Sequence, residues 1–177
     1  MRVQKEIQET CCFTGHRILG RSEREIEKAT FDQIERAVLK GYNHFICGGA
    51  LGFDMIAAEQ VVTYRTIVGK PIGKPITLEI AIPCSDHTKM WNNKQKARLQ
   101  AILDCADVTF TLSKSEYTQS CMQIRNQYMV SKSALVIAYY NGKPSGTKKT
   151  LEYAERTGRE IWYIEGSTAT IDGKSQK

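Results

Sequence analysis

The segment His44-Phe45-Ile46-Cys47-Gly48-Gly49-Ala50-Leu51-Gly52-Phe53-Asp54 decides the fold class of this chain. Its first four residues form a short, mostly apolar run that predicts a buried β-strand, and three glycines follow within five residues. A helical stretch over 54–64 then begins directly after the glycines. A strand that passes through a glycine-rich turn into a helix is the repeating unit of parallel α/β sheets.

The same alternation of strand and helix extends over the rest of the chain. Apolar runs predict further strands over 10–14, 77–82, 108–112, 134–140 and 161–164. Helical spacing predicts helices over 22–40, 92–106, 122–133 and 146–157. Ser22 and Glu25 form a capping-box pattern at the first helix, Gly41 ends that helix, and Pro83 closes the third strand. The segment 69–74, with two glycines and a proline, is expected to be a loop.

This order of elements predicts an α/β fold, a Rossmann-like, doubly wound and mainly parallel sheet of about six strands with helices on both faces. With 177 residues the chain has the length of one domain. We expect that domain to cover 1–165, followed by a flexible C-terminal tail over 166–177. Ligands of such sheets bind beyond the carboxyl ends of the strands.

Composition narrows the class of protein. Hydrophobic residues make up 41% of the chain and charged residues 25%, as in ordinary globular proteins. No apolar run has the length of a signal peptide or a membrane span, so we expect a cytoplasmic protein without a membrane partner. The six cysteines lack Cys-x-x-Cys spacing, which indicates reduced, structural thiols and no metal site.

The formal charge of +6 permits two interpretations. A basic domain attracts phosphates, whether they belong to nucleotides or to nucleic acid. Alternatively, the lysines are scattered over solvated helix surfaces, and their clusters lack interleaved aromatic residues. A nucleic-acid partner is therefore possible but not favoured, and a homodimer is compatible with the sequence.

The first strand-to-helix junction is Thr14-Gly15-His16-Arg17. Gly15 allows a sharp turn or a close approach of a ligand to the backbone. Arg17 carries a planar fork of donors that suits phosphate or carboxylate. His16 could make a polar contact, donate to a phosphate, or act as an acid or base. We therefore count these four residues as candidate ligand-binding residues.

The second junction, Gly48–Asp54, places Gly48, Gly49, Ala50 and Gly52 at the head of a helix. The free N–H groups of a helix start favour an anion, and the glycines are expected to make room for it. The segment is neither a Walker loop nor a dinucleotide fingerprint. Asp54 either caps the helix or contacts the ligand.

Two further segments complete the candidate site. Ser145, Gly146 and Thr147 follow the most apolar strand and open a helix, where hydroxyl and amide groups can cap the helix or bind a phosphate oxygen. Arg125 lies between Met122 and Met129 at helical spacing, next to Asn126. Arg125 points either into a ligand pocket or past a methionine-filled core to solvent.

These motifs resemble a known group of proteins. Thr14-Gly-His-Arg, Gly48-Gly-Ala-Leu-Gly-Phe-Asp, Arg125-Asn-x-x-Met-Val and Gly146-Thr147 are similar to the YpsA-like family of the SLOG superfamily, which unites Smf/DprA and LOG proteins. The resemblance covers roughly the range 9–165. It implies a Rossmann-like fold and a site for nucleotides or their derivatives, without indicating a particular cofactor.

The resemblance also implies what the site does. LOG members are phosphoribohydrolases with a Met-x-x-Arg-Lys helix and a Gly-Thr-x-x-Glu loop. Here Asn126 stands in place of that lysine and Thr150 in place of the glutamate that assists glycosidic cleavage. DprA-like relatives bind single-stranded DNA through a related fold.

Three functions therefore remain open. The first is a sensor or regulator that binds a nucleotide or nucleotide derivative. The second is a nucleotide-processing hydrolase, with chemistry carried by His16, Asp54 or Arg125. The third is a nucleic-acid-binding module. Trp91 and the tyrosines at 128, 139 and 140 either stack on a base or pack in the core.

Overall fold

The computed structural model describes residues 6–68, 75–114, 116–118 and 120–164. The strands are β1 (Thr10–Gly15), β2 (His44–Cys47), β3 (Thr77–Cys84), β4 (Val108–Ser113), β5 (Leu135–Tyr139) and β6 (Glu160–Tyr163). The helices are α1 (Glu23–Leu39), α2 (Phe53–Val68), α3 (Asn93–Cys105), α4 (Cys121–Ser131) and α5 (Gly146–Arg156). The predicted loop at 69–74 and the predicted tail at 166–177 lie outside the described residues.

The strands form a six-stranded sheet in the order β4-β3-β2-β1-β5-β6, and every neighbouring pair is parallel. The predicted Rossmann-like class is confirmed. The chain builds outward from β1 to β4 and then returns to the other side of β1 to form β5. The switch point thus lies between β1 and β5, where open α/β sheets form a ligand crevice beyond the strand ends.

Helices cover both faces of the sheet because strand residues alternate between two apolar cores. Cys11 and Phe13 point to the core that α1, α2 and α3 complete. Cys12 points to the opposite core, which includes Met129 of α4 and Leu151 of α5. The described cysteines are free thiols, and all but Cys105 are buried.

Two local predictions are wrong. Strand β3 does not end at Ile82 but runs through Pro83 to Cys84, because the register with β4 uses Ile82 and Cys84 and does not need the missing N–H of the proline. Ser22 does precede α1, but its side chain makes no capping hydrogen bond. Glu25 instead pairs with Arg21 at 3.5 Å.

The capping box of this fold lies at α3. Asn92 accepts a hydrogen bond from the backbone amide of Gln95, and the Gln95 side chain accepts one from the Asn92 amide. The predicted end of α1 at Gly41 is confirmed, since that glycine has φ +99°.

Gly15 ends β1 because a side chain would not fit there. A Cβ at Gly15 would overlap the ring of Phe53, the first residue of α2. The glycine thereby allows the start of α2 to pack against the end of β1. Since both segments lead into the switch-point crevice, this contact fixes the spacing of the loops around it.

Gly15→Ala is expected to lower the free energy of unfolding by about 1–3 kcal/mol, because the new methyl group must displace the packed Phe53 ring. Urea unfolding followed by circular dichroism measures the loss. Gly146→Ala is the matched control, since no atom outside its own helix and neighbours lies within 4 Å of the added Cβ. Equal losses from the two substitutions would contradict this account of Gly15.

Candidate functional site

A cleft of about 650 Å³ lies at the carboxyl ends of β1 and β5, at the switch point. It brings together most of the predicted site residues, which come from four separate segments. Those that line it are Thr14, Gly15, His16, Arg17, Ala50, Asp54, Arg125, Asn126, Ser145, Gly146 and Thr147. Gly48, Gly49 and Gly52 were also predicted but are not among the residues that line it.

The three remaining glycines make room for the protein itself rather than for a phosphate, which corrects the expected reason for them. A Cβ at Gly48 would overlap the Arg125 guanidinium, and one at Gly52 would meet the backbone of Arg17. Gly49 and Gly52 also have φ of +62° and +84°, a conformation that glycine adopts most easily. The glycines of this turn therefore allow close packing of the protein beside the cleft and do not line the cleft themselves.

The amide groups around the head of α2 are already engaged. The Phe53 amide donates to the His16 carbonyl at 3.1 Å, and the Ala50 amide donates to Asp54 Oδ2 at 3.4 Å. These bonds join the first and second junctions into one floor. Fewer free amides are thus available to bind an anion at this junction than the sequence predicts, because the amides of Phe53 and Ala50 have partners within the protein.

The head of α5 is more open. Ser145 Oγ accepts the Lys148 amide at 3.3 Å, as an N-cap residue does. The amides of Gly146 and Thr147 are the first two of the helix and have no carbonyl partner within it. A Cβ on Gly146 would stand in open space. This third junction therefore provides the accessible helix N-terminus of the cleft.

Arg125 forms the charged floor of the cleft. Its guanidinium donates to the Gly48 carbonyl and lies 3.4 Å from Asp54 Oδ2, while its Nε donates to Asn126 Oδ1 at 2.8 Å. The residue is only 2% exposed, so the alternative in which Arg125 reaches past the core to solvent is wrong. Asp54 is the buried counter-ion of this arginine and does not act as a simple helix cap.

Burial shifts the pKa of both members of this ion pair. Burial raises the pKa of Asp54, opposed by the charge of Arg125, the Ala50 amide and the charge of Arg17. Burial likewise lowers the pKa of Arg125, opposed by the charge of Asp54. Each charge is thus tolerated only because the other is present.

His16 is held in one orientation and one tautomer. Its Nε2 accepts the Asn141 amide at 3.2 Å, a bond that requires the neutral ring with its proton on Nδ1. The ring stacks on Tyr140 with centroids 5.6 Å apart and planes 18° apart. Burial, followed by the charge of Lys143, lowers the pKa of His16. His16 therefore ties β1 to β5 across the switch point.

The rim of the cleft carries exposed positive charge. Arg17 and Lys143 are both solvent-exposed and both line the cleft. Lys143 belongs to the segment after the most apolar strand but is not among the candidate ligand-binding residues predicted from the sequence, and its place after β5 was the available signal. Sequence reasoning also missed several other lining residues, namely Ile18, Gly20, Tyr117, Asn141 and Pro144.

The two departures from the LOG pattern contact each other. Asn126 Nδ2 donates to Thr150 Oγ1 at 2.9 Å, and that hydroxyl donates to the Gly146 carbonyl at 2.8 Å. A neutral, hydrogen-bonded pair thus stands where the LOG signature has a lysine and a glutamate. Two further carboxylates that could be considered for such chemistry have partners within the protein, since Glu59 binds Arg98 and Glu79 accepts a hydrogen bond from Tyr128.

Some expected groups lie outside the cleft. Tyr139 and Tyr140 are each 2% exposed and pack in the two cores, and Tyr128 donates to Glu79. Among the described residues, no group of three or more His, Cys, Asp or Glu side chains could hold a metal ion. Trp91 is half-buried and borders a neighbouring cavity.

Asp54→Asn is expected to lower the free energy of unfolding by about 3–5 kcal/mol, because it leaves the buried Arg125 charge without its counter-ion. Urea unfolding at neutral pH measures the change. Glu23→Gln is the control, since it removes the same charge from an exposed ion pair with Arg98 and should cost at most about 1 kcal/mol. A loss for Asp54→Asn no larger than that of the control would contradict the role assigned to this pair.

Stability should also fall as the pH is lowered through the ordinary histidine pKa of about 6.5. The folded pKa of His16 is lowered, so the unfolded chain binds a proton that the folded chain resists. His87, whose pKa burial also lowers, acts in the same direction. Unfolding free energies measured on both sides of that pH should therefore differ, and His16→Gln should reduce the difference. An unchanged difference in the variant would refute the contribution of His16.

Within the part of the chain that the structure describes, no helix is both long enough and apolar enough to cross a membrane.

The SPbeta prophage-derived protein YoqJ of Bacillus subtilis, described as uncharacterized, is 31% identical over 145 residues, which span 74% of this chain and 82% of that protein. A UPF0398 protein of Halalkalibacterium halodurans is 28% identical over 140 residues, 78% of this chain and 71% of its own.

Two solved structures share the fold. DNA processing protein A (DprA) of Streptococcus pneumoniae aligns with a TM-score of 0.64 and 19% identity over 97% of this chain. This chain spans only 54% of that structure's length. DprA of Helicobacter pylori, described in terms of its single-stranded DNA binding mode, aligns with a TM-score of 0.61 and 17% identity, covering 92% of this chain and 67% of that one.

A family model settles which group these likenesses belong to. The YpsA model, described as the YspA SLOG family, matches residues 21–168, which include the glycine-rich turn, the Arg125 helix and the start of α5. The resemblance read from the four sequence motifs is confirmed. This chain belongs to the YpsA family of SLOG proteins.

Proposed function

We propose that this protein binds a nucleotide or a nucleotide-derived ligand by its phosphate groups, and acts as a sensor or regulator. The observation that carries the proposal is the convergence of two exposed cations, Arg17 and Lys143, with the open N-terminus of α5 in one cleft. Membership of the SLOG family supports the same class of ligand.

The chemistry of the cleft suits a phosphate. The amides of Gly146 and Thr147 and the helix dipole of α5 favour an anion at that point. Arg17, in the loop after β1, and Lys143, in the loop before α5, supply charge-assisted donors. A volume of about 650 Å³ lies within the usual range for small-molecule sites, about 300–1,000 Å³.

Binding is favoured over hydrolysis by the shortage of groups for proton transfer. Asp54 is the one acidic side chain among the described residues that line the cleft, and it is buried against Arg125. A general acid or base must reach the reacting atom and exchange a proton with it. His16 already uses Nε2 to hold the Asn141 amide. Thr150, in the position of the LOG glutamate, has no carboxyl group.

Lys143→Ala and Arg17→Ala are each expected to weaken binding of ADP by about tenfold or more, because each removes a charge-assisted phosphate contact. Isothermal titration calorimetry with ADP, GDP and pyrophosphate at fixed salt measures the change. Gly146→Ala should weaken binding as well, since its methyl group would stand at the head of α5, while the fold remains as stable as before.

Lys40→Ala is the matched control for net charge. Lys40 lies over the Trp162 ring just after α1, at the amino edge of the sheet and away from the cleft. It should leave ADP affinity unchanged although it removes the same unit of charge. Equal weakening by Lys40→Ala, or no binding of any of the three ligands to the wild type, would overturn the proposal.

Single-stranded nucleic acid is a second candidate ligand. The DprA structure of H. pylori is described by its single-stranded DNA binding mode; this chain has the same fold, and its own formal charge is +6. Binding of this kind would tolerate loss of any single cleft cation and would weaken steeply with salt. An oligothymidylate included in the same titrations separates the two candidates.

A further inference from the structure

We infer that a second cavity beside the cleft is a subsite for a purine base. The cavity has a volume of about 290 Å³ and lies beyond the end of β3. It is bordered by Trp91, His87, Met90, Asp86 and Tyr117. This inference rests on the proposed function, since the subsite would hold the base of the ligand whose phosphates lie in the cleft.

The cavity and the cleft are contiguous. Arg17, Ala50, Tyr117 and Met122 line both of them. A single ligand can therefore occupy the two spaces at once, with its sugar passing beside these shared residues. The division of chemistry fits such a ligand, because cations and hydroxyls line one space, whereas aromatic and thioether side chains line the other together with the charged Arg17, Asp86 and Lys89.

The aromatic wall is fixed before any ligand binds. His87 Nδ1 donates to the Cys84 carbonyl at 3.3 Å, at the end of β3. The His87 ring meets the Trp91 ring edge to face, with centroids 5.4 Å apart and planes 77° apart. The Trp91 amide donates to the Thr88 carbonyl at 2.9 Å. These contacts hold the indole in one position next to the end of β3, and a side chain on which a base stacks must be held in this way.

Two other large side chains around the cavity are left open to solvent. Met90 is 92% exposed and Tyr117 is 51% exposed. Large apolar side chains left open around a concave surface are typical of ligand-binding sites. A base that stacks on Trp91 would cover part of both side chains, and each buried aromatic face would add to affinity.

Asp86 supplies a polar group beside the aromatic wall of the cavity. Its Oδ1 accepts the Tyr117 amide at 2.6 Å, which holds the segment carrying Tyr117 against the cavity. The Asp86 side chain borders the same space, and a carboxylate oxygen can accept a hydrogen bond from an N–H or amino group of a base. A purine is favoured because its two-ring system offers a larger face for stacking on Trp91 than the single ring of a pyrimidine does.

Tryptophan fluorescence provides a direct test. The chain has two tryptophans, Trp91 and Trp162, so Trp162→Phe leaves Trp91 as the sole tryptophan. In that variant, ADP or GDP should quench the emission as the base stacks on the indole, whereas pyrophosphate should bind without quenching. Comparison of ADP with GDP identifies the preferred purine, and UDP should bind about tenfold more weakly than the better of the two.

Affinity measurements separate stacking from phosphate binding. Trp91→Leu should weaken ADP binding by about tenfold and leave pyrophosphate binding unchanged, and Trp91→Phe should restore most of the loss. Because Trp91 also packs against the α1–α3 core, Tyr117→Ala is the second variant, and its half-exposed side chain can be removed without opening the core. Phe110→Ala, at the exposed edge strand β4, is the aromatic control and should change neither affinity.

The outcomes distinguish the inference from the proposal beneath it. Quenching by a purine nucleotide, together with selective loss of its affinity in Trp91→Leu and Tyr117→Ala, supports the subsite. Equal ADP affinity in the wild type and both variants overturns the subsite and leaves phosphate binding in the cleft intact. Failure of ADP and pyrophosphate to bind the wild type rejects both. Quenching by an oligothymidylate but not by ADP or GDP also overturns the purine subsite.

Discussion

The ion pair between Arg125 and Asp54 is the constraint on which the cleft depends. An arginine that is 2% exposed needs partners within the protein, and its Nε and Nη1 find them in a carboxylate, the Gly48 carbonyl and the Asn126 side chain. These partners come from α2, from the turn after β2 and from α4 itself. The guanidinium thus joins three elements, and the turn must lack a side chain at Gly48 to let it through.

This constraint divides the positive charge of the site into two kinds. Arg125 is neutralised within the protein, so it shapes the floor and adds little net attraction for an anion. Arg17 and Lys143 are exposed, so they can attract and contact a ligand from solvent. Rigidity and attraction are therefore supplied by different residues, which reduces the reorganisation that binding requires.

Much of the fold could be predicted because its signals are local. Apolar runs and glycines after strands gave the order of elements, and parallel pairing then placed the loops at one edge of the sheet. The partners of Arg125 could not be predicted, since they lie 71 and 77 residues away along the chain. Nor does sequence distinguish a glycine with open space over it, as at Gly146, from one that makes room for the protein's own guanidinium, as at Gly48.

The contact between Asn126 and Thr150 bears on how this branch of the fold differs from the LOG hydrolases it resembles. The two positions contact each other between α4 and α5. If a charged side chain at one position were replaced by a neutral one, a charged side chain at the other would lose its counter-ion. Here both are neutral and satisfy each other, with the second hydroxyl bond going to Gly146. The pair keeps α4 docked against the head of α5, where a phosphate would bind. This chain therefore has a hydrogen-bonded hydroxyl group, that of Thr150, at the position where the LOG pattern has a carboxyl group.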